Sequence, residues 1–211
     1  MKTDDLINAL AQDAPVRWRF DRVFASATVT GVLIALVVFC AGIGIRPDIT
    51  SAMETVRFLF KFVVTLSLAV AALGLILRIG RPGLSSGKWG WALGIAPALL
   101  VAAVILEMTA VPQSAWEARW IGTNAPFCMT LIPLMALGPL ACLLFVLRQG
   151  APARPGLAGA VAGLAASGIA ATFYASHCPD DSPFFVATWY PLATGIVVLI
   201  GYLAGSRLLR W

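Results

Sequence analysis

The sequence has few charged residues and a single histidine. Only 12% of its 211 residues are charged, 60% are hydrophobic, and the mean hydropathy is +0.88. A soluble domain of this size needs far more polar surface, so the composition excludes that class and indicates an integral membrane protein. One histidine also excludes haem ligation by two histidines of the same chain.

Patterns of membrane enzymes and transporters are missing as well. No apolar run carries Asp, Glu, His, Lys or Arg near its middle, where ion-coupled transporters usually need such residues. No Cys-x-x-Cys occurs, although quinone-linked disulfide-forming enzymes depend on that motif. We therefore predict a protein that is not an enzyme and that holds no cofactor or metal. Two alternatives stay open: a small transporter or channel subunit, and a membrane thiol oxidoreductase.

Long apolar runs are what the sequence does have. A helix needs about 20 mostly apolar residues to cross the hydrocarbon core, and lipid offers its backbone no other hydrogen-bond partners. The alternation typical of membrane barrels is absent. We predict an all-α integral membrane protein whose domain 26–204 has outer loops at 45–57, 107–128 and 175–186. Its six transmembrane helices are expected at Ser26–Gly44, Phe58–Leu77, Gly90–Leu106, Met129–Leu147, Leu157–Tyr174 and Val186–Leu203.

Basic residues predict the orientation. With the N-terminus inside, eleven of the fifteen Lys and Arg residues lie in inside segments, and the outside segments hold Arg46, Arg57, Lys61 and Arg119. This bias places both termini, including the tail 205–211, in the cytoplasm. The net charge of +5 then reflects topology and contact with anionic lipid, and direct binding of nucleic acid is the weaker explanation. Lys61 is expected to snorkel to the interface.

The first 25 residues form the longest cytoplasmic segment. They start with acidic residues and the first apolar run follows late, so we expect that run to be kept rather than removed as a signal peptide. Thr3 can cap a short helix with acidic residues in its first turn and an apolar stripe beyond them. This helix either rests on the membrane or binds a partner. The candidate partner-binding residues are Asp4, Asp5, Leu6, Ile7 and Leu10.

A polar island, Ser176–Pro183, lies between the last two apolar runs. It holds the only histidine, His177, beside Cys178 and the acids Asp180 and Asp181. Cys128 precedes the fourth run, so both cysteines are placed at the outer side, where disulfides form and persist. They can form a constitutive disulfide, a redox-responsive pair, or part of a Cys–His–Asp metal site.

The residues around Cys178 are expected to tune its reactivity. A protonated His177 would favour the reactive thiolate, whereas Asp180 and Asp181 would disfavour it by charge repulsion. The other cysteines, Cys40 and Cys142, are expected to behave as small buried hydrophobic residues.

Other residues predict local features of the helices. Prolines at 97, 133 and 139 predict that the third and fourth spans are bent. Trp116 and Trp120, four residues apart, predict a short amphipathic helix on the outer membrane surface. The spacing of Gly159 and Gly163 permits close helix approach, either within the bundle or between two copies, so the oligomeric state stays open.

Taken together, these segments resemble the NrsF-type membrane anti-sigma factors of proteobacteria. The resemblance rests on Met1-Lys2-Thr3-Asp4-Asp5-Leu6-Ile7, Cys128 running into Leu131-Ile132-Pro133-Leu134, His177-Cys178-Pro179-Asp180-Asp181-Ser182, Trp189-Tyr190 and the closing Gly205 to Trp211. It implies an inner-membrane protein that holds an extracytoplasmic-function (ECF) sigma factor inactive. It further implies a periplasmic pair, Cys128 and Cys178, that releases the sigma factor under redox or metal stress.

Overall fold

The computed structural model describes residue 3 and residues 20–81, 87–150 and 152–210. The proposed partner-binding residues 4–7 and 10 therefore lie outside the described residues. The regular structure of the described part is helical, with one short 3₁₀ turn at Gln113–Ala115. Its α-helices are α1 (Phe20–Gly42), α2 (Ile49–Met53), α3 (Val56–Ile79), α4 (Gly87–Ala92), α5 (Ile95–Ala110), α6 (Trp116–Ile121), α7 (Ala125–Gln149), α8 (Pro155–Ala175) and α9 (Pro183–Leu208).

Within the described residues, six helical segments are long and apolar enough to cross a membrane, as predicted: α1, α3, α4 together with α5, α7, α8 and α9. They extend past the apolar runs at most ends. α1, for example, begins at Phe20 rather than Ser26, and α9 begins at Pro183 rather than Val186. Polar residues prolong the helices because a helical backbone satisfies its own hydrogen bonds at the edge of the lipid. The connections accordingly become 43–55, 111–124 and 176–182; the last two are shorter than predicted, and the first is displaced by two residues.

The third span is interrupted, and its proline explains where. α4 ends at Ala92 and α5 begins at Ile95, so the break includes Leu93. Pro97 has no backbone N–H to bond the carbonyl four residues earlier, which belongs to Leu93. α7 contains Pro133 and Pro139 and is nevertheless a single helix of 25 residues.

α8 lies at the centre of the bundle and packs against α3, α7 and α9. In its most apolar window 61% of the residues are buried, against 6% for the span formed by α4 and α5, which lies at the periphery. Gly159 meets Gly201 so closely that an added Cβ would lie 2.1 Å from the Gly201 carbonyl oxygen. Gly163 lies equally close to α9, because a Cβ there would be 2.7 Å from the Val197 carbonyl oxygen. The Gly159–Gly163 spacing is therefore used within the bundle.

The bundle has two ends with different contacts between connections. The thiol end comprises the connections 43–55, 111–124 and 176–182, where the Arg46 N–H donates a hydrogen bond to the Ser176 carbonyl. The terminal end comprises the start of α1 and the chain around Gly80 and Gly150. At that end a Cβ on Gly80 would lie 2.6 Å from the Phe20 ring, and one on Gly150 would lie 2.4 Å from the Gly80 carbonyl oxygen.

Candidate functional site

Cys128 and Cys178 lie together inside the thiol end. Cys128 is in the first turn of α7 and Cys178 is in the connection between α8 and α9. Both side chains have no solvent exposure, both are free thiols, and both belong to the same apolar cluster as Tyr174 and Tyr190. The sequence placed the two cysteines on the same side of the membrane; the structure brings them to one end of the bundle and buries both.

Asp180 fastens the Cys178 loop to the helix that carries Cys128. Its carboxylate accepts hydrogen bonds from the backbone N–H groups of Asn124 (2.8 Å) and Thr123 (3.0 Å). A carboxylate in this position satisfies donors that the start of a helix leaves free and interacts favourably with the helix dipole. The N–H of Cys128 in turn bonds the carbonyl of Asn124 at 2.8 Å. The backbones of the two cysteines are thus connected through Asp180 and Asn124.

Asp181 holds the other side of the same loop through two cations. It lies 3.0 Å from a guanidinium nitrogen of Arg46 and 2.5 Å from the Lys61 Nζ. Both cations also donate to the carbonyl oxygen of Cys178, Lys61 at 2.8 Å and Arg46 at 3.3 Å. Lys61 is fully buried. The expectation that Lys61 snorkels to the interface is therefore wrong, because its ammonium points to protein acceptors inside the bundle.

Arg46 ties this ion cluster to the connection after α1. It donates to Asp48 through Nε (2.7 Å) and Nη2 (2.6 Å). Hydrogen bonding to Asp48 and to Asp181 raises the pKa of Arg46 above its usual range, although burial acts in the opposite direction. Hydrogen bonding from Arg46 lowers the pKa of Asp48. Arg46 and Asp48 are therefore charged at neutral pH.

His177 makes a third attachment. Its Nδ1 lies 3.0 Å from the carbonyl oxygen of Gly44. A carbonyl only accepts hydrogen bonds, so this contact assigns the hydrogen to Nδ1. His177 also lies beside Tyr174, with 6.1 Å between the ring centroids. The imidazole therefore joins the loop to the connection that follows α1.

The surroundings of Cys178 keep it in the thiol form. Burial raises its pKa and the Asp180 charge adds to that effect, while the Lys61 ammonium and hydrogen bonds with the Asp180 backbone and the Tyr174 side chain lower it. With a raised pKa, little of the nucleophilic thiolate is present at neutral pH. Burial and a raised pKa thus protect the Cys178 thiol from reaction in this arrangement.

Comparison with known proteins decides the family. The model of the family described as negative regulator of sigma F (NrsF) matches residues 10–211. The chain belongs to the NrsF family. It is 37% identical to the "Anti-sigma-F factor NrsF" of Caulobacter vibrioides and 32% identical to the "Probable anti-sigma-F factor NrsF" of Azospira oryzae. Each match covers 100% of both chains. No solved structure matches the chain.

A second ion cluster lies at the thiol end of this NrsF-family chain. Glu107, only 5% exposed at the end of α5, pairs with Arg57 of α3 at 3.0 Å and with Arg119 of α6 at 2.8 Å. The helix predicted around Trp116 and Trp120 is confirmed as α6. Both indole rings pack on Phe184 of α9, so α6 is fastened to the bundle.

The metal alternative finds no support in the described part of the chain, where no group of three His, Cys, Asp or Glu side chains could hold a metal ion. Instead, the loop's polar side chains turn to separate partners: His177 to Gly44, Asp180 to the start of α7, and Asp181 to two cations.

The other two cysteines of this NrsF-family chain differ from expectation. Cys40 is exposed and Cys142 is half-buried, so the prediction that both are buried is wrong. α1 buries Gly31, Ala35 and Phe39, one residue every fourth position, and Cys40 falls on the face outside this stripe.

Sequence reasoning missed Arg46, Asp48 and Lys61 as parts of the site. The positive-inside count used Arg46 and Lys61 as two of only four basic residues on the predicted outer side. Basic residues are scarce on that side, and this scarcity is the one sequence signal that could have identified Arg46 and Lys61 as site residues. Their partner Asp181 lies 135 and 120 positions further along the chain (181 − 46 and 181 − 61), and no local pattern records such a distance.

Proposed function

We propose that this protein is an inner-membrane anti-sigma factor. It holds an ECF sigma factor at its cytoplasmic side and releases it when Cys128 and Cys178 detect a periplasmic redox or metal signal. The observation that carries the proposal is similarity over the full length of a relative named as an anti-sigma-F factor. The six membrane-spanning segments agree with a regulator that works across a bilayer.

The proposed topology places the terminal end in the cytoplasm. An even number of spans puts both ends of the membrane domain on one side, and eleven of fifteen basic residues lie on that side. The thiol end then faces the periplasm, an oxidising compartment. The sigma factor would be bound at the opposite side, about 30 Å away across the hydrocarbon core.

The proposed switch is the thiol pair. On oxidation, the two S–H bonds break and one S–S bond forms, and two protons and two electrons pass to a periplasmic oxidant. Burial of both thiols in one apolar cluster supports pairing between them. Asp180, Asp181 and His177 tune Cys178 by holding its loop closed, since each fastens that loop to a different neighbour. A bias of about 1–3 kcal/mol between the two packings changes partner affinity roughly 5- to 150-fold.

The sigma factor is proposed to dock on the segment 1–25 through Asp4, Asp5, Leu6, Ile7 and Leu10. An apolar stripe on a short helix is a common way to fill a partner's groove. Leu6→Asp and Leu10→Asp place a charge in that interface, and we expect each to abolish retention of the sigma factor. The measurement is co-purification of the sigma factor with the full-length, detergent-extracted protein.

Asn8→Asp is the matched control, because it adds the same charge at a position outside the apolar stripe. It is expected to retain the sigma factor as the natural sequence does. Membrane levels of all three variants are compared by quantitative blotting. If both leucine variants retain the sigma factor fully, the docking segment is wrong; if the natural sequence retains none, the anti-sigma function is wrong.

A further inference from the structure

The thiol end of α3 carries two cations one helical turn apart. Arg57 reaches Glu107, and Lys61 reaches Asp181 and the carbonyl oxygen of Cys178. The two differ in burial: Arg57 is 45% exposed, whereas Lys61 is fully buried. Removing the partner of a buried charge is strongly destabilising. Lys61 must therefore keep its acceptors when the Cys178 loop changes position.

The other end of α3 touches the start of α1. The α3 helix ends at Ile79, and the Phe20 ring packs against the next residue, Gly80. Arg81 pairs with Asp21, and its guanidinium lies 5.8 Å from the centre of the Phe20 ring. Phe20 and Asp21 are the first two residues of α1. They lie within the segment 1–25 that is proposed to bind the sigma factor, after its proposed contact residues at positions 4–7 and 10.

Between these ends α3 is a single unbroken helix. Its 24 residues contain no proline, and at a rise of 1.5 Å per residue they span about 36 Å. α3 also packs against α8, the helix that leads into the Cys178 loop. At their crossing a Cβ on Gly168 would lie 2.8 Å from the backbone nitrogen of Ala69. Close backbone packing of this kind makes relative movement a rigid shift rather than a local adjustment.

We infer that Lys61 is a positioning residue that ties the Cys178 loop to α3, and that α3 carries a change in this loop to the start of α1. This inference rests on the proposed anti-sigma function and names the route by which the thiol end acts on the terminal end. When the loop moves, the buried ammonium follows its two acceptors. α3 then shifts against Phe20 and Asp21, and the segment before them changes position.

The test separates oxidation of the thiols from release of the sigma factor. Lys61→Met keeps the length and removes the charge, leaving Asp181 paired with Arg46. The full-length protein is purified with its sigma factor and titrated with diamide as the thiol oxidant. Mass-shift labelling of the remaining thiols then gives the disulfide fraction. At equal disulfide fractions we expect Lys61→Met to release at least about fivefold less sigma factor than the natural sequence, within the usual range of coupling between sites.

Arg57→Met is the matched control, since it lies on the same helix one turn away and leaves Glu107 paired with Arg119. It is expected to release the sigma factor as the natural sequence does, and Lys61→Arg is expected to restore release by replacing the buried cation. A residue with only a structural role would change protein levels or disulfide formation, but not the amount released per disulfide. Natural-level release by Lys61→Met, or an equal loss in Arg57→Met, would overturn the inference.

If Lys61→Met does not fold, two further variants test the same inference. Lys61→Met combined with Asp181→Asn removes both charges of the pair, and Arg81→Gln breaks the ion pair at the terminal end, where Arg81 is 39% exposed. Each is expected to show the same loss of release per disulfide. Full release by Arg81→Gln overturns the inference whatever the Lys61 variants do. If the natural sequence retains no sigma factor before oxidation, the proposed anti-sigma function is wrong. That result differs from normal release by the variants, which contradicts only the role of Lys61 and α3.

Discussion

At the scale of single residues, burial decides the chemistry of the thiol end. Cys178 has a raised pKa because it is out of water, and the ammonium of Lys61 counteracts this only in part. Ordinary reagents need the thiolate. Cys128 and Cys178 are buried together, whereas Cys40 is exposed outside this cluster. Position in the bundle thus separates two buried thiols from one on the bundle surface.

Replacing the cysteines tests this separation. Cys128→Ser and Cys178→Ser remove the possibility of a disulfide between them, so we expect each to abolish release of the sigma factor by oxidant. Cys40→Ser and Cys142→Ser are expected to release it normally. Co-purification before and after treatment with diamide measures both. Normal release by both Cys128→Ser and Cys178→Ser would show that this pair is not the switch.

At the scale of helices, close packing of α8 on α9 holds the centre of the bundle. Gly159 and Gly163 approach α9 backbone atoms at Gly201 and Val197, and Gly205 closes the same interface near Pro155. Without a hydrophobic driving force in lipid, van der Waals contact between small residues is a main source of helix association. α8 and α9 are also the helices joined by the Cys178 loop, so their packing sets where that loop lies.

One added methyl group tests the helix contact. In Gly159→Ala the new Cβ would lie 2.1 Å from a backbone oxygen and 2.8 Å from the Cα of Gly205, so the helices must separate. We expect a loss of about 1–3 kcal/mol, as is typical of overpacking, measured as a lower midpoint of thermal unfolding in detergent. Gly195→Ala on α9 is the control, because a Cβ there meets nothing within 4 Å. An equal effect of both variants would show that helix propensity, and not the contact, decides the change.

At the scale of the whole molecule, the bundle separates two sets of charges. The thiol end carries two ion clusters, around Asp181 and around Glu107, and both include a cation from α3. Among the described residues, more of the basic side chains belong to the helix ends and connections of the terminal end than to those of the thiol end. Such an asymmetry is the expected signature of a protein whose terminal end stays in the cytoplasm.

Single added cysteines test this topology. Ser51→Cys is exposed at the thiol end and Gln149→Cys is exposed at the terminal end, and both are made in a Cys40→Ser background. With a membrane-impermeant maleimide applied to spheroplasts, we expect labelling of Ser51→Cys at once and of Gln149→Cys only after lysis. The reverse order would invert the topology and, with it, the side on which the sigma factor can bind.

The sequence by itself determined the six spans, because crossing lipid depends on the length and polarity of each local run. It also marked the thiol pair and the polar island around Cys178. Helix ends were predicted less well, since polar residues at the lipid edge still join a helix. The choice between packing within the bundle and packing between copies needed Gly201 and Gly205, which lie far from Gly159 in the chain.

Only the tertiary structure decided the burial of the thiols and the partners of the loop. Lys61 bonds a carbonyl 117 positions away, and Arg46 bonds a carboxylate 135 positions away. Such contacts depend on how α3, α8 and the connection after α1 pack against one another. Sequence periodicity does not predict this packing. A lysine at the end of an apolar run looks the same whether it faces water or a buried acid. Packing makes the difference, because a charge inside the bundle is stable only where its partners are already in place.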